Sequence, residues 1–309
     1  MDPLFCSREN HKLKSKYLII VNNFANGGAT KKIWPKIQAT LDHRHVNYTA
    51  TISKYHRNAI LIIEEYVKLA NSDDVLLVVG GDGTLNEVVN ASEKMIRIHP
   101  DLSKLPIAYI PTGHRHDFAL RHHISLDWQK ALDNVLGQGH HVHQVMIGYF
   151  DEIIKNQRVY FLNNVGLGLN ADLINTLHHS KIGWKALRYF MAFFSLLYNL
   201  QSFTMEIYHP HKTTIYPNVF LADISLSNNP KDHHFNLTII ERHNLLIMFY
   251  IFFRVLFKHK IKLKSVHYVK VNDLHIGIPT LEYGHADGEE LGDRFYDSYY
   301  HTTKYPFIY

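Results

Sequence analysis

The chain has a single cysteine, Cys6, which excludes an internal disulfide bond. It also lacks a charged N-terminal segment followed by an apolar stretch, which is the pattern of a secretory signal. The longest apolar run, Leu245 to Phe253, is ended by Arg254 and falls short of the ~20 residues that a membrane-spanning helix needs. From these absences we expect a cytoplasmic protein that does not span a membrane.

The composition bounds the number of domains and the charge of the partners. The chain has 309 residues, of which 46% are hydrophobic, and this is long for one core and sufficient for two. Its formal net charge is +5 with 24 histidines, a balance that suits anionic partners such as nucleotides or an acidic membrane surface. We find no basic stripe interleaved with aromatic residues, so nucleic acid is not an expected partner.

The segment from Val75 to Ala91 has the pattern of a strand, a tight glycine turn and a helix. The apolar residues Val75 to Val79 predict a strand that is buried on both faces of a parallel sheet. Glycines in the turn Gly80 to Thr84 let the backbone approach a ligand, and the amides at a helix start attract anions, so the turn predicts a phosphate site. Asp82 in this turn is explained by a bridging metal ion or by a role in positioning the attacking group.

Two further loops follow predicted strands and are rich in turn-forming residues. One is Asn22 to Gly28, after a strand at Tyr17–Val21, and the other is Pro111 to Ala119, after a strand at Ile107–Ile110. Strands and helices alternate through this part of the chain, which predicts a parallel sheet with helices on both faces and a ligand at the carboxyl ends of the strands. We therefore expect the three loops to converge on one site.

The stretch Gly80 to Asn90 reads GGDGTLNEVVN and resembles the nucleotide-binding signature of the diacylglycerol kinase catalytic domain. Bacterial lipid kinases share this domain with sphingosine and ceramide kinases. The shorter GGDGT also occurs in NAD kinases and phosphofructokinases, and the continuation Leu85 to Val88 favours the lipid kinases. The resemblance extends from Tyr17 to about Leu291.

The second half of the chain has a different texture. From Val142 onward, short strands separated by turns predict an antiparallel sandwich or barrel-like domain. The resemblance then implies two domains: a doubly wound parallel α/β domain at residues 1–139, which residues 290–309 would complete, and an antiparallel β-sandwich domain for the lipid at residues 140–289. Apolar helices predicted at Trp184–Leu200 and Leu245–Phe257 line a lipid-entry groove or pack in the interior, and both readings stay open.

The resemblance implies that ATP is the phosphoryl donor and that the first domain binds it. Thr51 fits the Thr-x-x-x-x-His-x-x-Ala spacing of the family, although as a strand residue it also has an ordinary structural explanation. The nucleotide-binding residues that we assign on this basis are Asn23, Gly27, Thr51, Gly80, Gly81, Asp82, Gly83, Thr84, Leu85, Asn86, Glu87, Gly113, His114 and Asp117.

Two of these loops depart from the family pattern. Asn23 replaces the proline of Asn-Pro-x-x-Gly, and His114 to His116 replace the Thr-x-Asn portion of Pro-x-Gly-Thr-x-Asn-Asp-Phe-Ala. An imidazole gains charge as the pH falls through ~6.5. If the histidines face the nucleotide, ATP binds more tightly at acidic than at alkaline pH; the alternative is that they point to solvent.

Near the C-terminus, Asp287, Gly288 and Glu289 place two acids on either side of a glycine. Alone this pattern is typical of a solvated turn, although the glycine also lets both carboxylates approach one point. The lipid kinase pattern ends in the same Asp-Gly-Glu. The resemblance implies that Asp287 is the base that accepts the proton of the substrate hydroxyl, that Glu289 orients it or shares a metal ion, and that Asp82 organises the magnesium–nucleotide complex.

The segment Asn229 to Asn244 resembles the place where bacterial diacylglycerol kinases have Asp-Gly-x-Phe-x-Leu and hold a structural magnesium ion. Asp232 matches the acid, and we assign Asn229 and His234 beside it as metal ligands. His233 replaces the glycine, and Mg²⁺ tolerates little distortion of its octahedral shell. The resemblance therefore implies a magnesium site whose formation depends on this loop.

Together these patterns predict an ATP- and Mg²⁺-dependent kinase that transfers the γ-phosphate to the hydroxyl of a diacylglycerol-like lipid. The expected partners are ATP and a lipid at a membrane surface, to which the protein binds peripherally, and a homodimer is an open possibility. Two alternatives remain: a NAD kinase-like enzyme that acts on a soluble dinucleotide, and a sensor that binds nucleotide or lipid without catalysis. The altered loop at Gly113 to Asp117 motivates the sensor.

Overall fold

The computed structural model describes residues 16–55, 58–113, 116–137, 141–168, 202–227, 232, 234–256 and 261–309. Its helices and strands, numbered in chain order, are β1 (Tyr17–Asn22), α1 (Ala25–His43), β2 (Tyr48–Ser53), α2 (Asn58–Leu69), β3 (Val75–Gly80), α3 (Asp82–Ile98), β4 (Ile107–Pro111), α4 (Asp117–Arg121), α5 (Trp128–Leu136), β5 (Val142–Glu152), β6 (Gln157–Phe161), β7 (Asn164–Gly168), β8 (Phe203–His209), β9 (Lys212–Leu226), β10 (Phe235–Glu241), α6 (Leu245–Leu256), β11 (Val266–Val271), β12 (Leu274–Ala286) and β13 (Glu289–Ile308). The helix predicted at Trp184–Leu200 lies outside the described residues.

The N-terminal part contains the parallel strands. Strands β2, β1, β3 and β4 lie side by side in that order, and each neighbouring pair is parallel. Alternate residues of β1 face two different cores: Leu18 and Ile20 pack with helices α2 and α3, whereas Ile19 and Val21 pack with α1 and α5. Strand β3 is buried along its whole length, as its unbroken apolar run predicted.

Helix α1 begins earlier than the sequence indicated. The predicted loop at Asn22 to Gly28 is short, because β1 ends at Asn22 and α1 begins at Ala25. Gly27 and Gly28 therefore lie at the start of the helix, with φ of +60° and +92°. Residues with a side chain rarely adopt such values, so these positions favour glycine.

The C-terminal part is antiparallel, as predicted. Strands β7 and β8 each pair with both β9 and β12, so the four strands form a closed hydrogen-bonded circuit. Strands β10 and β11 continue outward from β9. Side chains from these strands and from β5, β6 and β13 form one apolar core that includes Phe161 and Phe235.

Strand β13 joins the two parts. It has 20 residues, pairs with β12 over its first half and ends with Phe307 and Ile308 in parallel pairing with β4. The buried ion pair between Arg294 Nη1 and Glu152 Oε2, 2.6 Å apart, fixes β13 to β5. This path brings the turn between β12 and β13 next to the parallel sheet. Among the described residues, no helix is both long and apolar enough to cross a membrane.

Candidate active site

A cavity of about 370 Å³ lies at the carboxyl ends of β1, β2 and β3. The chain places β2 on one side of β1 and β3 on the other, and ligands of open α/β sheets bind where the strand order reverses in this way. The residues that line the cavity come from the start of α1, the segment after β2, the first turns of α3 and the start of β13: Asn22, Phe24, Ala25, Lys54, Tyr55, Thr84, Glu87 and Glu289.

Two helices begin at this cavity without a side-chain cap. Helix α1 follows Phe24 and helix α3 follows Gly81, and neither of these residues makes a capping hydrogen bond through its side chain. The first-turn amides and the dipole of an uncapped helix attract anions. Asn22 Nδ2 donates to Thr84 Oγ1 at 2.8 Å and so connects the two helix starts. The cavity is therefore suited to phosphate groups.

Gly81, between β3 and α3, and Gly83, in the first turn of α3, allow close contacts with two other loops. A Cβ atom on Gly81 would lie 3.3 Å from Gly113 Cα, in the loop after β4. A Cβ atom on Gly83 would lie 2.2 Å from Glu289 Oε1, at the start of β13. Three loops that are far apart in sequence thus meet at the start of α3.

Asp82 is buried, and protein groups occupy both oxygens of its carboxylate. Oδ1 accepts the hydroxyl hydrogen of Tyr109 at 3.0 Å, and Oδ2 accepts the Phe118 amide at 3.1 Å and the Asn163 side chain at 3.4 Å. Burial raises the pKa of Asp82 to about 6, and the nearby carboxylate of Asp287 contributes in the same direction. Because Asp82 is absent from the cavity lining, its geometry favours a positioning role over direct metal contact.

Asp287 is a buried junction between segments and not the solvated turn residue that its pattern indicated. Its carboxylate accepts the backbone amides of Leu162, Asn163 and Asn164 at 2.5, 2.7 and 3.1 Å, and the Asn86 side chain at 2.7 Å. Burial raises the pKa of Asp287, and the four hydrogen bonds oppose that shift because they stabilise the charged form. Asp287 therefore contributes to structure as well as to any chemistry.

Two asparagines connect the buried aspartates to a third acid that the sequence analysis missed. Asn163 binds Asp287 through its backbone and Asp82 through its side chain. Asn164 donates its side-chain amide to Asp223 Oδ1 at 2.5 Å. Asp223, in β9, keeps part of its surface exposed, but its carboxylate lies within the protein and burial raises its pKa to about 6. Carboxylates from α3, β9 and the β12–β13 turn thus share one hydrogen-bonded network.

Arg121 supplies positive charge beside this network and was also missed. Its guanidinium donates to the Leu162 carbonyl oxygen and to His122 Nε2. Burial lowers the pKa of Arg121, while the carboxylates of Asp287 and Asp117 act to raise it. The available signal was its position four residues after Asp117, which places both on one face of a helix.

Of the fourteen assigned nucleotide-binding residues, Thr84 and Glu87 are the two that appear among the described residues lining the cavity. Leu85 is fully buried in the core, and the hydroxyl of Thr51 lies 2.5 Å from that of Tyr66, so neither lines the cavity. Asn22, and not the assigned Asn23, contributes to the lining. The exchange of Asn23 for Asn22 follows from strand pairing: Asn22 pairs with Ser53 of β2, so β1 continues one residue beyond its predicted end.

The remaining assignments fall on different parts of the structure. Gly27 lies in the first turn of α1, and Asp117 is exposed in the first turn of α4. His114, with its neighbour Arg115, lies outside the described residues, and His116 immediately precedes α4. The pH dependence expected from these histidines stays a prediction.

The structure describes two of the three residues that we assigned as magnesium ligands in the second domain, Asp232 and His234. Asp232 Oδ2 accepts the hydroxyl of Ser227 at 3.1 Å and lies 3.9 Å from His234 Nδ1, while Asn229 and His233 lie outside the described residues. These two side chains supply one carboxylate beside an imidazole, which is part of the octahedron of ligands that Mg²⁺ requires, and the magnesium site stays a prediction. In the part of the chain that the structure describes, no group of three or more His, Cys, Asp or Glu side chains is placed to hold a metal.

Known proteins show the same fold and part of the same sequence. A diacylglycerol kinase of Staphylococcus haemolyticus (strain JCSC1435) is 26% identical over 89% of this chain and 82% of its own length. The crystal structure of a diacylglycerol kinase from Bacillus anthracis str. Sterne matches with a TM-score of 0.62 and 16% identity, over 96% of this chain and 97% of that one. Yeast NADH kinase complexed with NADH matches with a TM-score of 0.52 and 10% identity, over 96% and 83%.

These likenesses confirm a mixed α/β fold with a sheet-rich C-terminal region. The family model of the diacylglycerol kinase catalytic domain matches residues 16–148, which include the glycine turn and all four parallel strands of the N-terminal sheet. The resemblance of Gly80 to Asn90 to the diacylglycerol kinase catalytic domain is therefore confirmed by the match of the family model over residues 16–148.

Proposed function

We propose that the protein is a lipid kinase that transfers the γ-phosphate of Mg-ATP to a hydroxyl of a diacylglycerol-like lipid. The observation that carries this proposal is the cavity where two uncapped helices begin beside Glu289, at the start of β13. Phosphoryl transfer needs a place for phosphates and a nearby carboxylate that receives a proton. The family of residues 16–148 supports the same reaction class.

The charges around the cavity favour a nucleotide that carries magnesium. Glu87 and Glu289 line the same cavity as the two helix starts. Phosphate oxygens would be repelled by these carboxylates unless a cation accompanied them, and a magnesium ion bound to the phosphates provides it. Lys54 is the only cation among the described lining residues, and we assign it to the phosphates.

The transfer itself requires little covalent chemistry from the protein. The lipid hydroxyl oxygen attacks the γ-phosphorus, the bond to the bridging oxygen of ADP breaks, and the hydroxyl proton passes to a carboxylate. We assign this proton to Asp287 because the resemblance implies that it is the base. Its carboxylate is buried and, like that of Asp82, lies outside the cavity lining, two residues before the lining residue Glu289. Burial shifts the pKa of Asp287 upward, which makes it a better proton acceptor near neutral pH. Glu289 would orient the reacting groups, while Asp82 and Arg121 set the charge around Asp287.

A transfer assay with three acceptors tests the proposal. Purified protein is incubated with ATP labelled in the γ-phosphate and with mixed micelles of diacylglycerol, with NAD, or with neither. Label in the organic phase supports the lipid kinase. Label in NADP would support the dinucleotide kinase whose fold is shared, and saturable ATP binding without transfer to either acceptor would support a sensor.

Replacing Lys54 with alanine is expected to raise the KM for ATP by roughly 10- to 100-fold, because a hydrogen bond to a charged group contributes ~1.5–3 kcal/mol. The value of kcat should change less, since the cation binds the phosphates before and during transfer. Lys54→Arg should retain most of the affinity. The matched control is Lys68→Ala, an exposed lysine on α2 outside the cavity. An unchanged KM in Lys54→Ala would remove this residue from the site.

A further inference from the structure

Helix α6 has an apolar face that points away from the protein. Leu246 is 81% exposed and Tyr250 is 48% exposed, and residues four apart lie on one face of a helix. The opposite face is buried through Met248 and Ile251, which pack with Ile261 and neighbouring residues in a separate small core. The helix is therefore anchored by one apolar face while a second apolar face remains uncovered, which is unusual for a surface helix.

The chain around this helix is strongly basic. Residues 242–272 contain seven Lys or Arg residues and no Asp or Glu. These seven are Arg242, Arg254, Lys258, Lys260, Lys262, Lys264 and Lys270, of which Lys258 and Lys260 lie outside the described residues. Lys262 and Lys264 are exposed, and Leu263 between them packs against the same core as Met248, so both lysines lie beside the helix.

We propose that the outward face of α6 docks on an anionic lipid bilayer. Leu246 and Tyr250 enter the boundary between head groups and acyl chains, and the exposed side chains of Lys262 and Lys264 contact anionic head groups. An apolar helix face flanked by Lys and Arg is the pattern of an interfacial helix, and each basic residue near an anionic surface adds attraction. The proposed lipid kinase function explains why the protein would dock on a membrane, since its lipid substrate is found there. The docking surface itself is inferred from the exposed side chains and the charge around α6.

Charge also selects the membrane over a second copy of the chain. In a two-fold symmetric contact, the same surface of each copy faces the other. The basic residues around α6 would then face one another without acidic partners from residues 242–272, which disfavours the contact. An anionic bilayer presents the opposite charge and an apolar interior.

Vesicle sedimentation without nucleotide tests the docking surface. The protein should bind vesicles of equal parts phosphatidylglycerol and phosphatidylcholine, and bind vesicles of phosphatidylcholine alone more weakly. The double variant Leu246→Ser/Tyr250→Ser should bind the anionic vesicles at least about tenfold more weakly, because it removes two buried apolar side chains from the interface. Lys262→Glu/Lys264→Glu should lose at least about tenfold on anionic vesicles and change little on neutral ones.

The matched control is Leu69→Ser, because Leu69 is 84% exposed at the end of α2, away from the basic segment. It should bind as the parent does, and circular dichroism should show that all variants are folded. Parent-like binding by both double variants would overturn the inference. A parent dimer that becomes monomeric in Leu246→Ser/Tyr250→Ser would also overturn it, since the face would then be an interface between copies.

Activity on a soluble substrate separates this inference from the proposed function. A short-chain diacylglycerol below its micellar concentration should be phosphorylated equally by the parent and by Leu246→Ser/Tyr250→Ser. If the parent phosphorylates no lipid but its vesicle binding depends on α6, then the lipid kinase proposal fails and the docking surface stands. If the parent is active and its vesicle binding is indifferent to α6, then the docking surface fails and the kinase stands.

Discussion

Replacing Asp287 with asparagine is expected to lower the rate of phosphoryl transfer by ~10²- to 10⁴-fold, the usual effect of removing a general base. The same change should destabilise the protein, because the carboxylate accepts three backbone amides and the Asn86 side chain in a buried site. Asparagine replaces one carboxylate oxygen with an NH₂ group, which cannot accept the hydrogen bonds made to that oxygen, and a buried donor without an acceptor costs ~1–3 kcal/mol. Kinetics at saturating ATP and denaturant unfolding measure the two effects.

Glu289→Gln is the comparison that separates chemistry from structure in this experiment. Glu289 lines the cavity, so its replacement should lower activity while the free energy of unfolding stays close to that of the parent. Titration calorimetry then shows whether Asp287→Asn still binds ATP. Full activity in Asp287→Asn would exclude it as the base, and loss of both ATP binding and folding would assign it a structural role alone.

The parts of the site that the sequence predicted are those whose signals are local. The apolar run of β3 and the glycines after it are adjacent in the chain, and their burial pattern and close contacts follow from that order. The turn is therefore placed correctly at the end of a buried strand, but it is shorter than predicted, because α3 begins at Asp82. The start of helix α5 also has a local cause, because the side chain of Asp127 accepts the amides of Gln129 and Lys130.

The asparagine network could not be predicted, because its hydrogen bonds join distant parts of the chain. Asn163 and Asp287 are 124 residues apart, and the sequence around either residue does not indicate that it contacts the other. The burial of Asp287 could not be predicted from the sequence either, because Asp-Gly is a turn signal whether the turn faces water or the interior. Its burial depends on the path of β13 from the antiparallel core to β4, which is a tertiary feature.

The second large expected effect concerns Asp82 and its dependence on pH. In an unfolded chain the pKa of an aspartate is ~3.9, whereas burial raises the folded-state pKa of Asp82 to about 6. Between these two values the folded protein retains a proton that the unfolded chain has lost. The contribution of Asp82 to stability is therefore full below pH ~4 and declines as the pH rises, by up to ~3 kcal/mol once the pH exceeds the folded pKa.

The variant Asp82→Asn stays neutral at every pH and cannot show this decline. The free energy of unfolding of the variant, relative to that of the parent, should therefore rise by ~2 kcal/mol between about pH 4 and pH 7. Urea unfolding in EDTA and without nucleotide measures this shift free of ligand effects. The matched control is Asp101→Asn, at an exposed carboxylate away from the site. The difference in free energy of unfolding between this variant and the parent should not show the shift with pH expected for Asp82→Asn.

This shift would also measure how much stability the protein loses near neutral pH by keeping a buried carboxylate in the site. Around neutral pH Asp82 is largely ionised although buried, with Asp287 close enough to raise its pKa further. A fold selected for stability alone would place neutral groups there, whereas a phosphoryl-transfer site needs charged carboxylates in fixed positions before the substrate arrives. Parallel stability curves for parent and Asp82→Asn would show that Asp82 titrates normally, and the argument for an electrostatically strained site would fail.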